Sequence, residues 1–412
     1  MMDNTSSRKK TAILVLLVAL LLAAYILATY SVFTSRFPGA NDFYSRWKGA
    51  EVYWREGINP FSEEATLAIQ QGIYGRPAEP GEDPGPFAYP FYTVFLLAPI
   101  VWMPYAWAQA IWLVVLQVSL VLGVALCLSL LDWRLPPWLF ALTILWSVFF
   151  YHSARTIFLG QFAGLVFLCT VGTLWALKGR HDGLAGVLLS LTTVKPQMSF
   201  LLIPALLLWG LAQRRWRFLT ASALASALLL GMSFLLQPSW LGDFFRQLAA
   251  YPSYTAIGSP IWILAHYYIP FLGTPGEVAL SLLLLLYLAY EWRHLAQSGD
   301  VPDRFYWVLG MTLIVTNLVA LRTATTNYVQ LYFPLFLVLH HATARAPARN
   351  LVLALFYLLS AVGIWLLFLA TVVDRFEHPI VYLPLPVALF GAFVWARSAL
   401  HSGSRARERR YA

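Results

Sequence analysis

The stretch of sequence that decides the fold is residues 11–33, TAILVLLVALLLAAYILATYSVF, which follows the basic cluster Arg8-Lys9-Lys10. A helix of about 20 apolar residues crosses the ~30 Å hydrocarbon core of a bilayer. The run is longer than the about 7–15 apolar residues of a signal peptide, and no clear Ala-x-Ala cleavage site follows it. We therefore expect an uncleaved first transmembrane helix over residues 11–33, with its N-terminus in the cytoplasm.

Apolar runs recur along the rest of the chain. Hydrophobic residues make up 59% of the sequence and charged residues 11%, whereas a soluble domain carries about 25% charged residues. The further runs cover residues 105–131, 137–153, 158–177, 183–194, 196–212, 218–237, 275–291, 305–321, 327–341, 350–373 and 379–396. With the first helix they predict an all-α polytopic membrane protein of about twelve crossings, a single integral membrane domain over residues 1–412. The composition excludes disordered, collagenous, coiled-coil and disulfide-stapled proteins.

The distribution of charge orients these helices. The sequence has 28 Lys and Arg against 19 Asp and Glu, a net charge of +9. Its basic clusters lie between the apolar runs, which is the positive-inside pattern of membrane proteins rather than a nucleic-acid surface. An even number of crossings places both termini in the cytoplasm, including the basic tail 397–412. Cys127 and Cys169 lie inside apolar runs, so we expect neither a disulfide framework nor a zinc site.

Residues 34–87 differ from the rest of the chain because they hold eight of the nineteen acids and end in a stretch rich in Pro and Gly. We expect an extracytoplasmic loop that carries short amphipathic helices, and a connection of this length usually carries function. The next stretch, Tyr89–Met103, is interrupted by prolines. We interpret it as re-entrant because that choice keeps most of the following basic residues inside. Residues 88–396 then hold the remaining transmembrane helices.

Lys195 is the clearest candidate for a functional charge near the membrane, because it lies between the run 183–194 and a second run that begins at Pro196. A charged side chain near hydrocarbon is costly unless it is paired or reaches the headgroup layer. One interpretation is a phosphate contact at the membrane surface, for which a compact ammonium is suited. The other is a helix-end lysine whose ammonium extends to the headgroups.

Asp42 lies a few residues after the first helix, in Asn41-Asp42-Phe43-Tyr44. A carboxylate at this place can act as a general base, and its neighbours Tyr44 and Trp47 are candidates for substrate contact. The alternative is that Asp42 is the N-cap of a helix starting at Phe43, because Asp is a favoured cap residue. The sequence supports the general-base and the N-cap interpretation equally.

Four more polar residues are candidates for substrate binding. Arg322 ends an apolar run, and its guanidinium suits phosphate unless it is only an interfacial anchor. Asn327, in the turn that follows, suits sugar hydroxyls. Gln161 begins a span with an amide that needs a partner. His266 lies in an aromatic run, where a lone His is more often an interfacial residue than a catalytic one.

Motifs of several other classes are absent. The sequence has no Gly-Lys-Ser/Thr nucleotide loop, no Asp-x-Asp pair, no His/Cys cluster and no Gly-x-Ser-x-Gly elbow. We therefore expect no metal and no cofactor, and neither ATP-driven transport nor an acyl-serine mechanism.

Several short motifs together resemble glycosyltransferase family 87 in their order and spacing, over roughly residues 11–220. They are Asp42-Phe43-x-x-x-Trp47-x-x-Ala50, Gly57-Ile58-Asn59-Pro60-Phe61, Tyr89-Pro90, Gly160-Gln161, Ala185-Gly186-Val187, Lys195-Pro196-Gln197 and Arg214-Arg215-Trp216-Arg217. The chain departs from the family in two places. Phe91 follows Tyr89-Pro90 where the family often has a second Pro, and Asn327 stands where some members have a His.

The resemblance implies a GT-C-type fold and a polyprenyl-phosphate-linked sugar donor, usually of mannose. It also implies transfer to a lipid or glycan hydroxyl at the outer face of the cytoplasmic membrane, with an acid of the first outer loop as base, which is Asp42 here. The phosphate of such a donor lies at the membrane surface, where Lys195 and Arg322 would stabilise the charge on the leaving group. A single displacement with Asp42 as base inverts the anomeric centre.

Two other classes of membrane protein are alternatives. A secondary transporter or lipid flippase would use Lys195 as a coupling or substrate charge, but we find no repeat between the halves of the chain. An oligosaccharide ligase or polymerase would carry a large late outer loop, whereas the longest loop here is early. The absence of these features favours a transferase, and the resemblance implies a hexosyltransferase, usually a mannosyltransferase.

Overall fold

The computed structural model describes residues 3–37, 39, 41–254, 258–297, 302–344, 346–373 and 376–411. These residues form α-helices joined by short 3₁₀ and π segments, with no strand among them. The helices are α1 (Asp3–Thr29), α2 (Asn41–Glu56), α3 (Glu63–Tyr74), α4 (Thr93–Leu97), α5 (Tyr105–Leu130), α6 (Pro137–Phe149), α7 (Tyr151–Leu159), α8 (Ala163–Lys178), α9 (Asp182–Leu191), α10 (Leu202–Ala212), α11 (Trp216–Leu236), α12 (Trp240–Tyr254), α13 (Pro260–Ile263), α14 (Gly273–Gln297), α15 (Pro302–Val319), α16 (Tyr332–Thr343), α17 (Arg349–Thr371) and α18 (Pro384–Tyr411). The predicted all-α class is confirmed.

Within the described part of the chain, six helices are long and apolar enough to cross a membrane. They are Lys10–Thr34, Tyr105–Leu130, Trp216–Leu236, Gly273–Ala296, Arg349–Thr371 and Pro379–Arg397. The pair α6 and α7, bent by 50°, is a seventh if it counts as one span. The chain is therefore a multi-pass membrane protein, as predicted.

Four shorter apolar helices accompany these spans, at Ala163–Lys178, Asp182–Val194, Leu202–Ala212 and Arg304–Val319. At 1.5 Å per residue a helix of this length falls short of a ~30 Å hydrocarbon core. The count of twelve crossings and the side on which each terminus lies therefore stay predictions. All four helices have one end at or near a break in the helical backbone, and those breaks form the site described below.

The first loop folds against the bundle through α2 and α3. Ser62 begins α3 by accepting a hydrogen bond from the backbone N–H of Ala65 (3.1 Å), and Gly75 ends it in the left-handed conformation with φ +71°. The ring of Phe43 in α2 is fully buried and stacks on Trp112 of α5 (5.1 Å between ring centroids). The stretch Tyr89–Met103 forms only α4, of five residues, which is too short to cross a bilayer.

The centre of the bundle is the packing of α5 against α8. Gly123 of α5 admits the ring of Phe167 of α8, since a Cβ there would lie 2.5 Å from a ring carbon. Both cysteines lie in these two helices, Cys127 in α5 and Cys169 in α8, where they are buried and free. They contribute to packing, as the sequence indicated.

Helices α9 and α11 approach each other through small residues. A Cβ on Gly186 of α9 would lie 2.6 Å from the backbone nitrogen of Ser222 and 2.7 Å from the carbonyl oxygen of Phe218, both in α11. The hydroxyl of Ser190, one turn further along α9, donates to the Ser222 carbonyl (3.0 Å). Small residues permit such close contact between helices in a membrane, where van der Waals packing and hydrogen bonds drive association.

This contact predicts a difference between two glycines of α9. Gly186→Ala is expected to destabilise the protein by about 1–3 kcal/mol, because an overpacked helix contact must separate. Gly183→Ala, in the same helix but with nothing within 4 Å of its Cβ position, is expected to be neutral or slightly stabilising. Thermal unfolding of the two variants in one detergent measures the difference. Equal melting temperatures would contradict the close approach of α9 and α11.

Candidate active site

Three breaks between the apolar helices lie near the start of α2. Helix α7 ends at Gly160, whose φ of +66° turns the chain toward α8. Helix α9 continues into a 3₁₀ turn, Thr192–Val194, and stops at Lys195 before Pro196. A third break is the 3₁₀ segment Thr325–Leu331 between α15 and α16. Non-helical backbone within the thickness of a membrane is tolerated where it is enclosed by protein or lines a cavity.

One side chain joins two of these breaks to α2. The amide nitrogen Nε2 of Gln161 donates to Oδ2 of Asp42 (2.5 Å). Its amide oxygen Oε1 accepts from Nζ of Lys195 (2.6 Å) and from the hydroxyl of Tyr89 (3.0 Å). The structure thus brings together Asp42, Gln161 and Lys195, three residues that the sequence analysis selected separately.

Asp42 lies inside the first turn of α2, which begins at Asn41, so it is not the cap of a helix starting at Phe43. Its carboxylate accepts from Gln161 instead, and the side chain is 31% exposed. The N-cap interpretation is therefore wrong in this form. A carboxylate held by a neighbour and still partly open to solvent can accept a proton from an incoming group.

Arg46 belongs to this cluster and was missed in the sequence. It lies four residues after Asp42, on the same face of α2. Its Nη1 donates to the backbone carbonyl of Asp42 (2.6 Å) and lies 3.9 Å from Oδ1. The guanidinium also lies 4.7 Å from the centroid of the Tyr89 ring. The spacing of Asp42 and Arg46 in the sequence was sufficient to predict that they are neighbours.

Lys195 is 2% exposed, and within the described ranges no ion pair joins it to a carboxylate. It lies outside the helices that can span a membrane. Burial lowers the pKa of its ammonium to about 7, while the charge of Asp42 opposes that change and Arg46 adds to it. A buried cation with only a neutral hydrogen-bond acceptor favours an anionic ligand, because the anion would restore the charged form.

Arg322 and His266 form a separate cluster around Trp262. The guanidinium of Arg322 lies 5.6 Å from the centroid of Trp262, and this ring stacks on the imidazole of His266 at 5.1 Å. The Nε2 atom of His266 lies 3.0 Å from a carboxylate oxygen of Glu277. Tyr251 of α12 interacts electrostatically with Arg322 and also with Asp42 and Arg46. The two predicted phosphate-binding residues, Lys195 and Arg322, therefore lie in neighbouring clusters rather than side by side.

Asn327 lies in the Thr325–Leu331 break and is buried. Its Nδ2 donates to the hydroxyl of Thr323 (3.1 Å), and its Oδ1 has no hydrogen-bond partner among the described residues. In the same segment, Gln330 donates to the carbonyl of Met198 (2.8 Å), which follows Lys195 by three residues. The break that holds Asn327 is thus bonded to the Lys195 loop.

Tyr44 and Trp47 are held by packing contacts on α2. The indole of Trp47 is buried and donates to the carbonyl of Ile100 (3.2 Å). The ring of Tyr44 packs edge-on to Tyr105, and its hydroxyl occupies the space beside Gly72 of α3. Contact of either side chain with a substrate stays a prediction.

A buried carboxylate, Glu377, joins α7 to the Thr325–Leu331 break. It lies 3.1 Å from Nε of Arg155 and accepts from the hydroxyl of Thr325 (2.6 Å) and from that of Tyr151. Sequence reasoning missed Glu377, although Arg155 lies between two apolar runs and an arginine near a membrane needs a partner. Glu377 joins α7 to the break that holds Asn327.

No group of three or more His, Cys, Asp or Glu that could hold a metal ion occurs in the part of the chain that the structure describes. The chemistry-bearing groups are instead a carboxylate, an ammonium and a guanidinium around one amide.

Comparison with known proteins gives one family. Searches of curated proteins and of solved structures found no match. The model of glycosyltransferase family 87 matches residues 87–324, more than half of the chain, a range that includes Gln161, Lys195, His266 and Arg322. This match favours the transferase over the transporter interpretation. The chain belongs to glycosyltransferase family 87 and is a membrane glycosyltransferase.

Proposed function

We propose that this glycosyltransferase moves a hexose, most specifically mannose, from a polyprenyl-phosphate donor to a lipid or glycan hydroxyl at the outer face of the cytoplasmic membrane. The observation that carries the proposal is the buried Lys195, joined through Gln161 to the partly exposed carboxylate of Asp42. One amide group separates a cation suited to a phosphate from a base suited to an acceptor hydroxyl.

The donor phosphate binds Lys195 in this proposal. The ammonium is buried and has a carbonyl oxygen, but no carboxylate, as its hydrogen-bond partner in the described residues. The phosphate of a lipid-linked sugar sits where the chain leaves the hydrocarbon, and Lys195 lies at a break between two apolar helices. As the bond from the sugar to the phosphate breaks, negative charge grows on the phosphate oxygen, and the nearby ammonium stabilises it.

Asp42 acts as the general base. The acceptor oxygen attacks the anomeric carbon as the phosphate leaves, and the hydroxyl proton passes to the Asp42 carboxylate. One bond forms on the face opposite the one that breaks, so the anomeric centre is inverted. Arg46 and Gln161 hold the carboxylate, which leaves it fixed in orientation while 31% of the side chain is exposed.

The second cluster, Arg322 with Trp262 and His266, extends the site. A guanidinium stacked on an indole can bind phosphate oxygens through N–H groups in one plane. In the proposal Arg322 also contacts the donor phosphate region. Asn327, with its free amide oxygen, contacts sugar hydroxyls.

Substitution of Asp42 tests its role as the base. Asp42→Asn keeps the shape of the side chain and an oxygen for Gln161, but removes the basic carboxylate. Transfer from radiolabelled polyprenyl-phosphate mannose to total membrane lipids is expected to fall ~10²–10⁴-fold, measured with purified protein in nanodiscs.

Asp132→Asn is the matched control, because this side chain is 84% exposed and pairs with Lys178. It lies just after the C-terminal end of α5, whereas Asp42 lies near the N-terminal end of α5. Asp132 has φ +50°, a conformation that Asn tolerates well. The control is expected to keep wild-type transfer. Undiminished transfer by Asp42→Asn would remove Asp42 from the chemistry, and no transfer by wild type from several sugar donors would contradict the proposed function.

Substitution of Lys195 separates an effect on stability from an effect on activity. Lys195→Met replaces a buried ammonium with an apolar chain of similar volume, so the melting temperature is expected to stay equal or to rise. Transfer is expected to fall by at least ~10²-fold, since a fixed charge on the leaving phosphate is lost. Lys178→Met, which removes a lysine paired with Asp132, serves as the control and should keep its activity.

The pH dependence of stability tests the same residue. The pKa of Lys195 is about 7 in the folded protein and 10.5 ordinarily. Between these values the unfolded chain binds the extra proton, so the free energy of unfolding rises with pH in this window. The wild-type melting temperature should therefore rise by a few degrees from pH 7 to pH 9, and that of Lys195→Met should not. Parallel curves for both proteins would contradict the burial of an unpaired ammonium.

A further inference from the structure

The amide of Gln161 stands between two groups of opposite charge. Its nitrogen donates to the Asp42 carboxylate (2.5 Å), and its oxygen accepts from the Lys195 ammonium (2.6 Å). A carboxylate and an ammonium that are this close and largely removed from water ordinarily form a direct ion pair. Here each charge is bonded to one end of a neutral group.

The orientation of this amide is fixed by its surroundings. The Tyr89 hydroxyl donates to the same oxygen as Lys195 (3.0 Å), and burial raises the pKa of Tyr89, so the hydroxyl keeps its proton. The backbone before Gln161 is held as well, because the indole of Trp112 donates to the carbonyl of Gly160 (2.8 Å). A flipped amide would place its NH₂ group against two donors.

Other charged and titratable groups also face this arrangement. Arg46 packs on Tyr89 and contacts Asp42, while Tyr251 and Asp83 interact with Arg46 at longer range. Arg46 donates to the backbone carbonyl of Asp42 at 2.6 Å, closer than its 3.9 Å to the carboxylate. The carboxylate therefore has its nearest hydrogen bond from a neutral donor, Gln161.

We propose that Gln161 is a positioning residue that acts as a neutral spacer, which prevents Asp42 and Lys195 from pairing with each other. In this role it keeps the carboxylate available to an acceptor hydroxyl and the ammonium available to a phosphate. The catalytic role of the spacer rests on the proposed function, whereas the separation of the two charges is seen in the protein's own side chains.

Two substitutions remove the neutral amide between Asp42 and Lys195 in different ways. Gln161→Leu removes both hydrogen-bonding ends, and the flexible four-carbon chain of Lys195 then reaches the Asp42 carboxylate. Gln161→Glu places a carboxylate beside Lys195 and next to Asp42, so the ammonium is paired and the two acids repel. Each is expected to lower transfer by ~10²-fold or more, because general base and phosphate contact are both compromised.

The direct test is the protonation of Lys195 in the absence of substrate. Purified full-length protein in nanodiscs is treated with trace acetic anhydride from pH 5 to pH 11, and acetylation of the Lys195 peptide is followed by mass spectrometry. The wild-type midpoint is expected at a pKa of about 7. In Gln161→Leu the midpoint is expected to move well above this value, because pairing with a carboxylate favours the charged amine.

The double variant Gln161→Leu with Asp42→Asn distinguishes a spacer from a residue that only supports the fold. With the carboxylate removed, the Lys195 midpoint should return toward the wild-type value. A midpoint in Gln161→Leu that equals wild type, or that stays high without Asp42, overturns the proposal. Lys178 in the same digests reports whether the fold is intact, and its midpoint should not change.

A second measurement covers the case in which the reagent does not reach Lys195. The rise of the melting temperature from pH 7 to pH 9 should disappear in Gln161→Leu and reappear in the double variant. Both readouts are independent of transfer. A shifted midpoint without any transfer by wild type would support the spacer and contradict the proposed function, and normal transfer by Gln161→Leu would contradict the spacer alone.

Discussion

The arrangement of the site follows from the cost of burying one ammonium group. Lys195 is almost completely buried, and the nearest charge of opposite sign is one amide away. A buried ion without a direct partner of opposite charge destabilises the fold, so the surrounding packing must hold it there. A bound anion would offset this cost, and in the proposed function that anion is the phosphate of a lipid-linked sugar.

The helix breaks provide the packing that this requires. Helices α7, α9 and α15 stop before the full thickness of a bilayer, and the segments after them are bonded to one another. Gln161 reaches Lys195, Gln330 reaches the carbonyl of Met198, and Thr156 donates to the carbonyl of Thr326 (2.9 Å). Backbone groups that leave the helical pattern are thus satisfied inside the protein. The segments that end the short helices are also the ones that supply the polar groups of the site.

Much of the fold was predictable because hydropathy decides it. The first span, the multi-pass character and the polar first loop follow from apolar runs and their absence. Gln161 and Lys195 were found because a polar group near hydrocarbon needs a partner, and Asp42 because a carboxylate just after the first helix can act as a general base. Their contact with one another was not predictable, since residues 119 and 34 positions apart are brought together only by the packing of breaks that periodicity does not locate.

Other residues show where a single sequence stops being informative. Arg46 was passed over although its spacing from Asp42 places both on one face of α2. Trp47 was selected as a candidate for substrate contact, yet its indole donates a hydrogen bond to the carbonyl of Ile100. Aromatic residues look alike in the sequence whether they face a core or a ligand, and only their neighbours distinguish them.

The most direct test of this account is a structure of the protein bound to a non-hydrolysable phosphonate analogue of polyprenyl-phosphate mannose. The account predicts a phosphonate oxygen within hydrogen-bond distance of Lys195 Nζ, and the Asp42 carboxylate on the opposite face of the anomeric carbon. A phosphonate bound away from Lys195, with the ammonium still held only by Gln161, would contradict it.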